Sequence, residues 1–185
     1  MNNRDNLPYR EKTEMFLLID GSNKVLAADH WNYIMFPWGW IDEGEKSIKD
    51  SAVRELIEET QLKLIWDLNV LWNVEWKWFP EWANNGKRIK RYKEFQWEKV
   101  YHLLWKVDWK REKREWIEVE EDSWKNVDWI EIKECIQKLI ELANIDHPNT
   151  YPYRIAQLYW LRSLAIMNNI ELPESLWEII NNLKN

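Results

Sequence analysis

The residues best suited to chemistry lie in one short segment, Arg54-Glu55-Leu56-Ile57-Glu58-Glu59. The surrounding run from Asp50 to Thr60 contains no Pro or Gly, which predicts a helix. Glu55, Glu58 and Glu59 are spaced i, i+3 and i+4, so they project together from one face of that helix. Three neighbouring carboxylates repel one another, and a hard divalent cation such as Mg²⁺ relieves this through oxygen ligands, clamps diphosphate oxygens and activates a water. The plainer alternative is an acidic helix face in contact with solvent.

The residues before the helix extend the pattern. Gly39 is followed after five residues by Glu45, and Glu45 after eight residues by Arg54. This arrangement resembles the Nudix box, which reads Gly, five residues, Glu, seven residues, then Arg-Glu-aliphatic-x-Glu-Glu-x-Gly-aliphatic. The resemblance covers residues 39–62. It implies a hydrolase that uses Mg²⁺ or Mn²⁺ to cleave diphosphates, usually nucleoside diphosphates that carry a further group.

Three positions depart from the family pattern. The spacer between Glu45 and Arg54 is one residue longer, and we expect the extra residue to fall in the loop before the helix, where insertions are tolerated. Gln61 replaces the Gly that would follow the helix, often in a left-handed conformation. Trp38 replaces the first Gly of the family's Pro-Gly-Gly turn. None of the three changes removes a carboxylate.

The resemblance also implies roles for individual residues. Glu55, Glu58 and Glu59 are implied metal ligands, and the sequence leaves open which helix glutamate is the general base. Arg54 and Glu45 would orient the carboxylates through an ion pair. Arg54 also counts, with Glu55 and Glu58, among the catalytic candidates. The backbone carbonyl of Trp38 is a further implied ligand. A last ligand often comes from a later loop of the family, for which the candidates are Glu118, Glu120 and Glu121, each alternatively a solvated loop charge.

A basic run lies near the middle of the chain: Lys87, Arg88, Lys90, Arg91 and Lys93. We expect it to lie on an exposed hairpin. The alternative is contact with substrate phosphate through Lys87, Arg88 and Arg91.

The remaining pattern predicts an α/β fold, and the resemblance implies a Nudix-type α/β/α sandwich with a mixed sheet. Val53, Leu56, Ile57 and Thr60 recur at helical spacing and predict the buried face of the box helix. We expect strands over 14–20, 24–28, 33–36, 62–79, 92–107 and 127–130, loops over 80–86 and 109–124, and a helix over 131–143.

We divide the chain into a hydrolase domain, residues 1–143, and a C-terminal helical extension, residues 144–185. Pro152 and Pro173 predict helices over 152–168 and 173–183. An apolar stripe at Tyr153, Ala156, Trp160 and Leu164 favours packing of this extension on the domain. A homodimer contact and a lid over the substrate are the alternatives.

Composition narrows the function classes. The chain has 185 residues, a net charge of −6 and one cysteine, Cys135. The negative charge argues against broad binding to nucleic acid or to membrane surfaces. A lone cysteine excludes an intrachain disulfide, and Cys135 has the pattern of a packed helix thiol. The N-terminal residues lack the apolar core of a signal peptide, so we expect a cytoplasmic protein that acts on a small nucleotide-type substrate.

Sixteen tryptophans and four glycines make the composition unusual, since average usage predicts about 13 glycines. Several tryptophans stand in turn-like places, namely Trp31, Trp38, Trp40, Trp66, Trp105, Trp109 and Trp116. Trp is poorly suited to turns that need a positive φ. We interpret these positions as UGA codons read as Trp in place of Gly, whereas a protein truly rich in Trp is the alternative. By contrast, Trp76, Trp78, Trp129 and Trp177 have strand-like or apolar surroundings.

Two other functions of the fold remain open. One is a sensor that binds a nucleotide without cleaving it. Such a sensor need not keep all three box glutamates, so the intact set argues against it. An isomerase of isoprenoid diphosphates needs a catalytic cysteine near the site, and Cys135 lies too far along the chain to match easily. The box leaves the substrate open among a nucleoside triphosphate, a nucleotide sugar and a dinucleoside polyphosphate.

Overall fold

The computed structural model describes residues 4–19, 21–30, 33–60, 69–107 and 127–172, with three isolated helical positions at 174, 178 and 182. The elements are β1 (Arg10–Ile19), β2 (Lys24–His30), β3 (Tyr33–Met35), β4 (Trp38–Trp40), α1 (Ile48–Thr60), β5 (Asn69–Trp76), α2 (Gly86–Glu94), β6 (Glu98–Val107), β7 (Val127–Glu131), α3 (Ile132–Ile145) and α4 (Tyr151–Met167). Short 3₁₀ turns occupy Arg4–Asn6, Pro80–Trp82 and Pro148–Thr150.

The described strands form one seven-stranded sheet. Five of them run in the order β3-β2-β1-β6-β5, while β4 pairs with β1 and β7 pairs with β2. Strands β1 and β6 are parallel over their whole length, from Arg10↔Glu98 to Ile19↔Val107. The other pairs are antiparallel. The predicted α/β class with a mixed sheet is confirmed.

Helices cover both faces of the sheet, because successive side chains of a strand point to opposite sides. On one face Met15 and Leu17 of β1 pack against Ala52 and Leu56 of α1. On the other face Phe16 and Leu18 pack in a larger core that includes the buried residues of α3 and α4. The box helix therefore lies on the face opposite the two C-terminal helices.

The segment before the box helix differs from the predicted turn. Residues 38–40 form strand β4, which pairs with β1 through Lys12↔Trp40, Thr13↔Gly39 and Glu14↔Trp38. The chain then turns through residues 41–47, where Gly44 has a φ of 97°. The long β1 supplies the hydrogen-bonding edge that turns this segment into a strand.

The basic run lies on helix α2, so the prediction of a hairpin is wrong. Asn85 caps the helix, because its side chain accepts a hydrogen bond from the backbone N–H of Arg88. The density of long charged side chains suits a helix that faces solvent. Strand β6 consequently begins at Glu98, six residues later than we predicted.

The buried face of α1 is narrower than the sequence pattern predicted. Leu56 is fully buried as expected, but Ile57 is 50% exposed and Ala52 is buried in its place. One apolar residue of the predicted stripe therefore reaches solvent.

Helix α4 follows the prediction for residues 152–168, although its buried face centres on Gln157, Leu158, Leu161, Leu164 and Ala165. The segments 61–68 and 108–126 and most of 173–185 lie outside the described residues, and so do the expectations that fall on them. Within the described chain, no helix is both long enough and apolar enough to span a membrane.

Candidate functional site

Arg54, on the second turn of α1, is the centre of an acidic cluster. Its Nη1 donates to Glu55 Oε1 at 2.9 Å and to Glu58 Oε2 at 3.1 Å. Its Nε donates to Glu45 Oε1 at 2.8 Å, and its Nη2 lies 3.3 Å from Asp42 Oδ2. One guanidinium thus faces four carboxylates. The cluster keeps an excess of negative charge that no described cation neutralises.

Glu45 fixes the loop to the helix. Besides Arg54, its carboxylate accepts hydrogen bonds from the backbone N–H of Asp42, at 2.7 Å, and from the Ser51 hydroxyl. The bond from Arg54 is the main cause that lowers the pKa of Glu45 to about 2, with burial opposing it and Ser51 adding to it. Glu45 is therefore ionised at any ordinary pH and serves as the fixed anchor of Arg54.

Glu55 lies directly over the backbone of Gly39. A Cβ atom at Gly39 would stand 1.8 Å from Glu55 Cγ and 2.0 Å from its Cδ. The residue must therefore be glycine for a reason of space, since its φ is not positive. Burial raises the pKa of Glu55, an effect that Arg54 counteracts and Glu58 reinforces. A carboxylate with a raised pKa beside a second carboxylate gains most from a bound cation.

The acidic cluster fits a divalent cation in its chemistry. Arg54 engages one oxygen each of Glu55 and Glu58, and in the described part of the chain no group donates to the other oxygen of either. No set of three acidic, His or Cys side chains converges on a common point within the described residues. The side chain of Glu59, the third predicted ligand, lies outside them. Oxygen ligands of this kind suit Mg²⁺ or Mn²⁺.

The structure brings together Arg54, Glu55, Glu58 and Glu45, as the sequence predicted. Trp38 lies on β4 next to Gly39, and its carbonyl remains a predicted ligand. Glu118, Glu120 and Glu121 lie outside the described residues.

The basic candidates lie on α2. Arg91 lies over the Trp40 ring and Arg88 over the Trp82 ring, at 5.2 and 5.3 Å from the ring centroids. Lys87 is exposed.

Two residues of this region were not predicted from the sequence. Asp42 joins the cluster through Arg54, and Arg10 lies against Trp40 on β4. The acidic run Asp42-Glu43-Gly44-Glu45 was a sequence signal for Asp42. No local signal marks Arg10, because its partners come from other strands and helices.

Cys135 and His102 lie on the face of the sheet opposite α1. Cys135 is fully buried on α3, in the core opposite α1, as predicted for a packed thiol. Burial raises its pKa to about 12, so the thiol stays protonated. His102 is buried under α4.

The tryptophans at the box loop adopt ordinary strand geometry. Among the described residues, Asn169 is the only non-glycine with a positive φ, so the idea that Trp38 and Trp40 occupy a turn needing such a φ is wrong. The Trp40 carbonyl accepts a hydrogen bond from Arg54 at 3.0 Å, an interaction that any residue supplies. The interpretation of misread codons remains a prediction: the gene should carry UGA at positions 38, 40, 105 and 109, and UGG there contradicts it.

A sheet with an acidic helix on one face and two helices on the other defines an α/β/α protein. A family model described as the NUDIX domain matches residues 3–153. The chain therefore belongs to the Nudix family, and the Nudix-type fold is confirmed.

Solved structures share this fold. One is an ADP compounds hydrolase, which is 18% identical to this chain with a TM-score of 0.53. The match covers 90% of this chain and 78% of the hydrolase chain. Another is the NUDIX domain of Shewanella oneidensis NrtR complexed with ADP ribose, which is 17% identical with a TM-score of 0.50. That match covers 78% of this chain and 92% of the NrtR domain. No curated protein sequence matches the chain.

Proposed function

We propose that this protein is a metal-dependent hydrolase that cleaves a diphosphate linkage in a nucleoside diphosphate derivative. The observation that carries the proposal is the placement of four carboxylates, Asp42, Glu45, Glu55 and Glu58, around the single cation of Arg54. Such an excess of negative charge at one end of a sheet is unfavourable unless a cation joins it. A purely structural ion-pair network would balance its charges more closely.

Each residue has a distinct task in this proposal. Glu55 and Glu58, with Glu59, would hold Mg²⁺ or Mn²⁺ and include the general base. Arg54 orients Glu55 and Glu58, and Glu45 holds Arg54 in place. The cation, when bound, supplies charge stabilisation on the phosphate oxygens and a water of lowered pKa.

The proposed substrate is a small nucleotide-type compound in the cytoplasm: a nucleoside triphosphate, a nucleotide sugar or a dinucleoside polyphosphate. The relatives agree with this class, since one is described as an ADP compounds hydrolase and another was solved with ADP ribose. For the C-terminal extension, residues 144–185, packing on the domain remains the proposal, and a homodimer contact remains the alternative.

The test measures phosphate release from one member of each substrate class with Mg²⁺ or Mn²⁺. We expect turnover that EDTA abolishes. Glu55→Gln should lower kcat by roughly 10²–10⁴-fold with little change in thermal stability, and Glu59→Gln tests the third ligand. Glu43→Gln is the matched control, because Glu43 is an exposed carboxylate in the same loop that makes no described contact with Arg54.

The opposite result would identify the alternative function. If the unmutated protein binds one of these nucleotides but hydrolyses none of them with either metal, the proposal of a hydrolase fails. The protein would then be a nucleotide-sensing Nudix module.

A further inference from the structure

A second group of polar side chains lies on the face of the sheet that carries α1. Side chains alternate along a strand, and Met15 of β1 and Leu103 of β6 pack against α1. By this alternation Glu11 of β1, together with Lys99 and Tyr101 of β6, points to the same side. All three are partly exposed, so they form a polar shelf beside the apolar area that α1 covers.

Hydrogen bonds join the three side chains of the polar shelf. The Tyr101 hydroxyl donates to Glu11 Oε1 at 2.8 Å. A hydrogen bond to Tyr101 raises the pKa of Lys99. Burial, followed by the bond to Glu11, raises the pKa of Tyr101. At neutral pH the shelf therefore presents an ammonium, a neutral phenol and a carboxylate, and no described residue donates to Glu11 Oε2.

The charges of the polar shelf favour a neutral ligand that carries hydroxyl groups. Lys99 is paired across the sheet with Glu11 on β1 and with Glu75 on β5, so two carboxylates flank one ammonium. This arrangement repels a phosphate group. A hydroxyl group, in contrast, donates to a carboxylate oxygen and accepts from an ammonium or a phenol. A sugar ring presents several such hydroxyl groups side by side.

The polar shelf and the acidic cluster lie on either side of β1. Glu55 lies on the backbone of Gly39. Thr13 of β1 is paired with Gly39 on one side and with Tyr101 on the other. Tyr101 is thus two strands away from Gly39, about 10 Å at the usual strand spacing. A sugar attached to a diphosphate at the acidic cluster can reach the shelf.

We propose that Glu11, Lys99 and Tyr101 bind the hydroxyl groups of a sugar that is attached to the diphosphate of the substrate. The inference rests on the proposed function and narrows its substrate class to a nucleotide sugar, since a nucleoside triphosphate carries no second sugar. The three residues determine specificity and take no part in bond cleavage. Their bonds join only one another, so they do not depend on whether the box loop carries Trp or Gly.

The first experiment measures the binding of ADP-glucose and of ADP to the full chain in EDTA, by titration calorimetry. We expect the sugar to strengthen binding roughly tenfold or more. Glu11→Gln and Tyr101→Phe should each remove most of this gain. Equal affinity of the unmutated protein for the two ligands, or no binding of ADP-glucose, overturns the inference.

Two control variants make the same chemical changes on the opposite face of the sheet. Tyr159→Phe removes an exposed phenol hydroxyl of α4 that has no described hydrogen bond, and Glu134→Gln neutralises an exposed carboxylate of α3. Both should keep the full gain in affinity from the sugar. A loss of the gain in these controls as large as in Tyr101→Phe also contradicts the inference.

The second experiment compares KM values for ADP-glucose and for ATP with Mg²⁺. Tyr101→Phe should raise KM for ADP-glucose roughly tenfold with kcat unchanged, and leave KM for ATP unaltered. An equal rise for both substrates contradicts the inference, because the shelf would then only support the sheet.

The two experiments separate the inference from the proposed function. Binding of ADP-glucose in EDTA needs neither the cation nor turnover, and it should persist in Glu55→Gln. If the unmutated protein hydrolyses nothing but its preference for ADP-glucose over ADP depends on Glu11 and Tyr101, the hydrolase proposal fails and the sugar site stands. Hydrolysis without that preference has the reverse meaning.

Discussion

The two faces of the sheet carry glutamates in opposite states. On the α4 face, Glu14 is 1% exposed and accepts hydrogen bonds from Tyr153 at 2.6 Å and from Gln157 at 2.8 Å. Its other oxygen lies 3.1 Å from His102 Nε2, in poor alignment. Burial raises the pKa of Glu14, but His102, Lys12 and Tyr153 together hold it below its usual range. On the α1 face, Glu55 and Glu58 share one arginine with two further carboxylates.

This comparison shows that the groups around a glutamate decide which role it has. Tyr153 and Gln157 of α4 both donate to one oxygen of Glu14, so this buried carboxylate joins α4 to β1. Carboxylates outnumber cations around Arg54, so that cluster keeps a net negative charge. The first arrangement suits stability and the second suits chemistry.

The strongest test removes Glu14. Glu14→Ala leaves the buried donors of Tyr153 and Gln157 without an acceptor, and should lower the free energy of unfolding by about 3–5 kcal/mol. Urea denaturation measures the change. Glu58→Ala is the control, because Glu58 is 58% exposed, and its effect should stay within about 0.5 kcal/mol. Comparable losses from the two variants would erase the contrast between the faces.

A second test concerns the contact of Glu55 with β4. Gly39→Ala places a methyl group inside Glu55, so the carboxylate must shift; the expected cost is about 1–3 kcal/mol together with loss of hydrolysis. Gly86→Ala meets no atom within 4 Å and serves as the control. Thermal unfolding and phosphate release are measured on both variants. Full activity in Gly39→Ala contradicts the described position of Glu55.

The smallest expected effect is the pH dependence of Glu45. Its pKa is about 2 in the folded protein against 4.5 ordinarily, so its contribution is complete above pH 4.5 and disappears as pH falls toward 2. Glu45→Gln should destabilise the protein by about 1–2 kcal/mol at pH 7. The gap between the two proteins should close on acidification, as followed by urea denaturation from pH 7 to pH 2. A gap that stays constant over this range means that the Arg54–Glu45 pair contributes no stability.

Sequence spacing predicted the box cluster well because most of its members are local. Glu55 and Glu58 are fixed relative to Arg54 by helix geometry alone, and Glu45 lies nine residues before Arg54. Spacing did not show whether 38–40 would be a turn or a strand, since that depends on a free edge of β1. It also misjudged Ile57 and the basic run, because exposure depends on which part of the sheet a helix covers.

The sequence by itself determined the acidic helix, the glycine next to it and the family to which the chain belongs. Only the tertiary structure decided that Glu55 lies on the backbone of Gly39, that Glu14 is enclosed by α4, and that Arg10 meets Arg91 at Trp40. The physical reason is sequence distance. Contacts within a few residues follow from helical periodicity, whereas contacts between β1, β4, α2 and α4 depend on how the whole sheet is paired and covered.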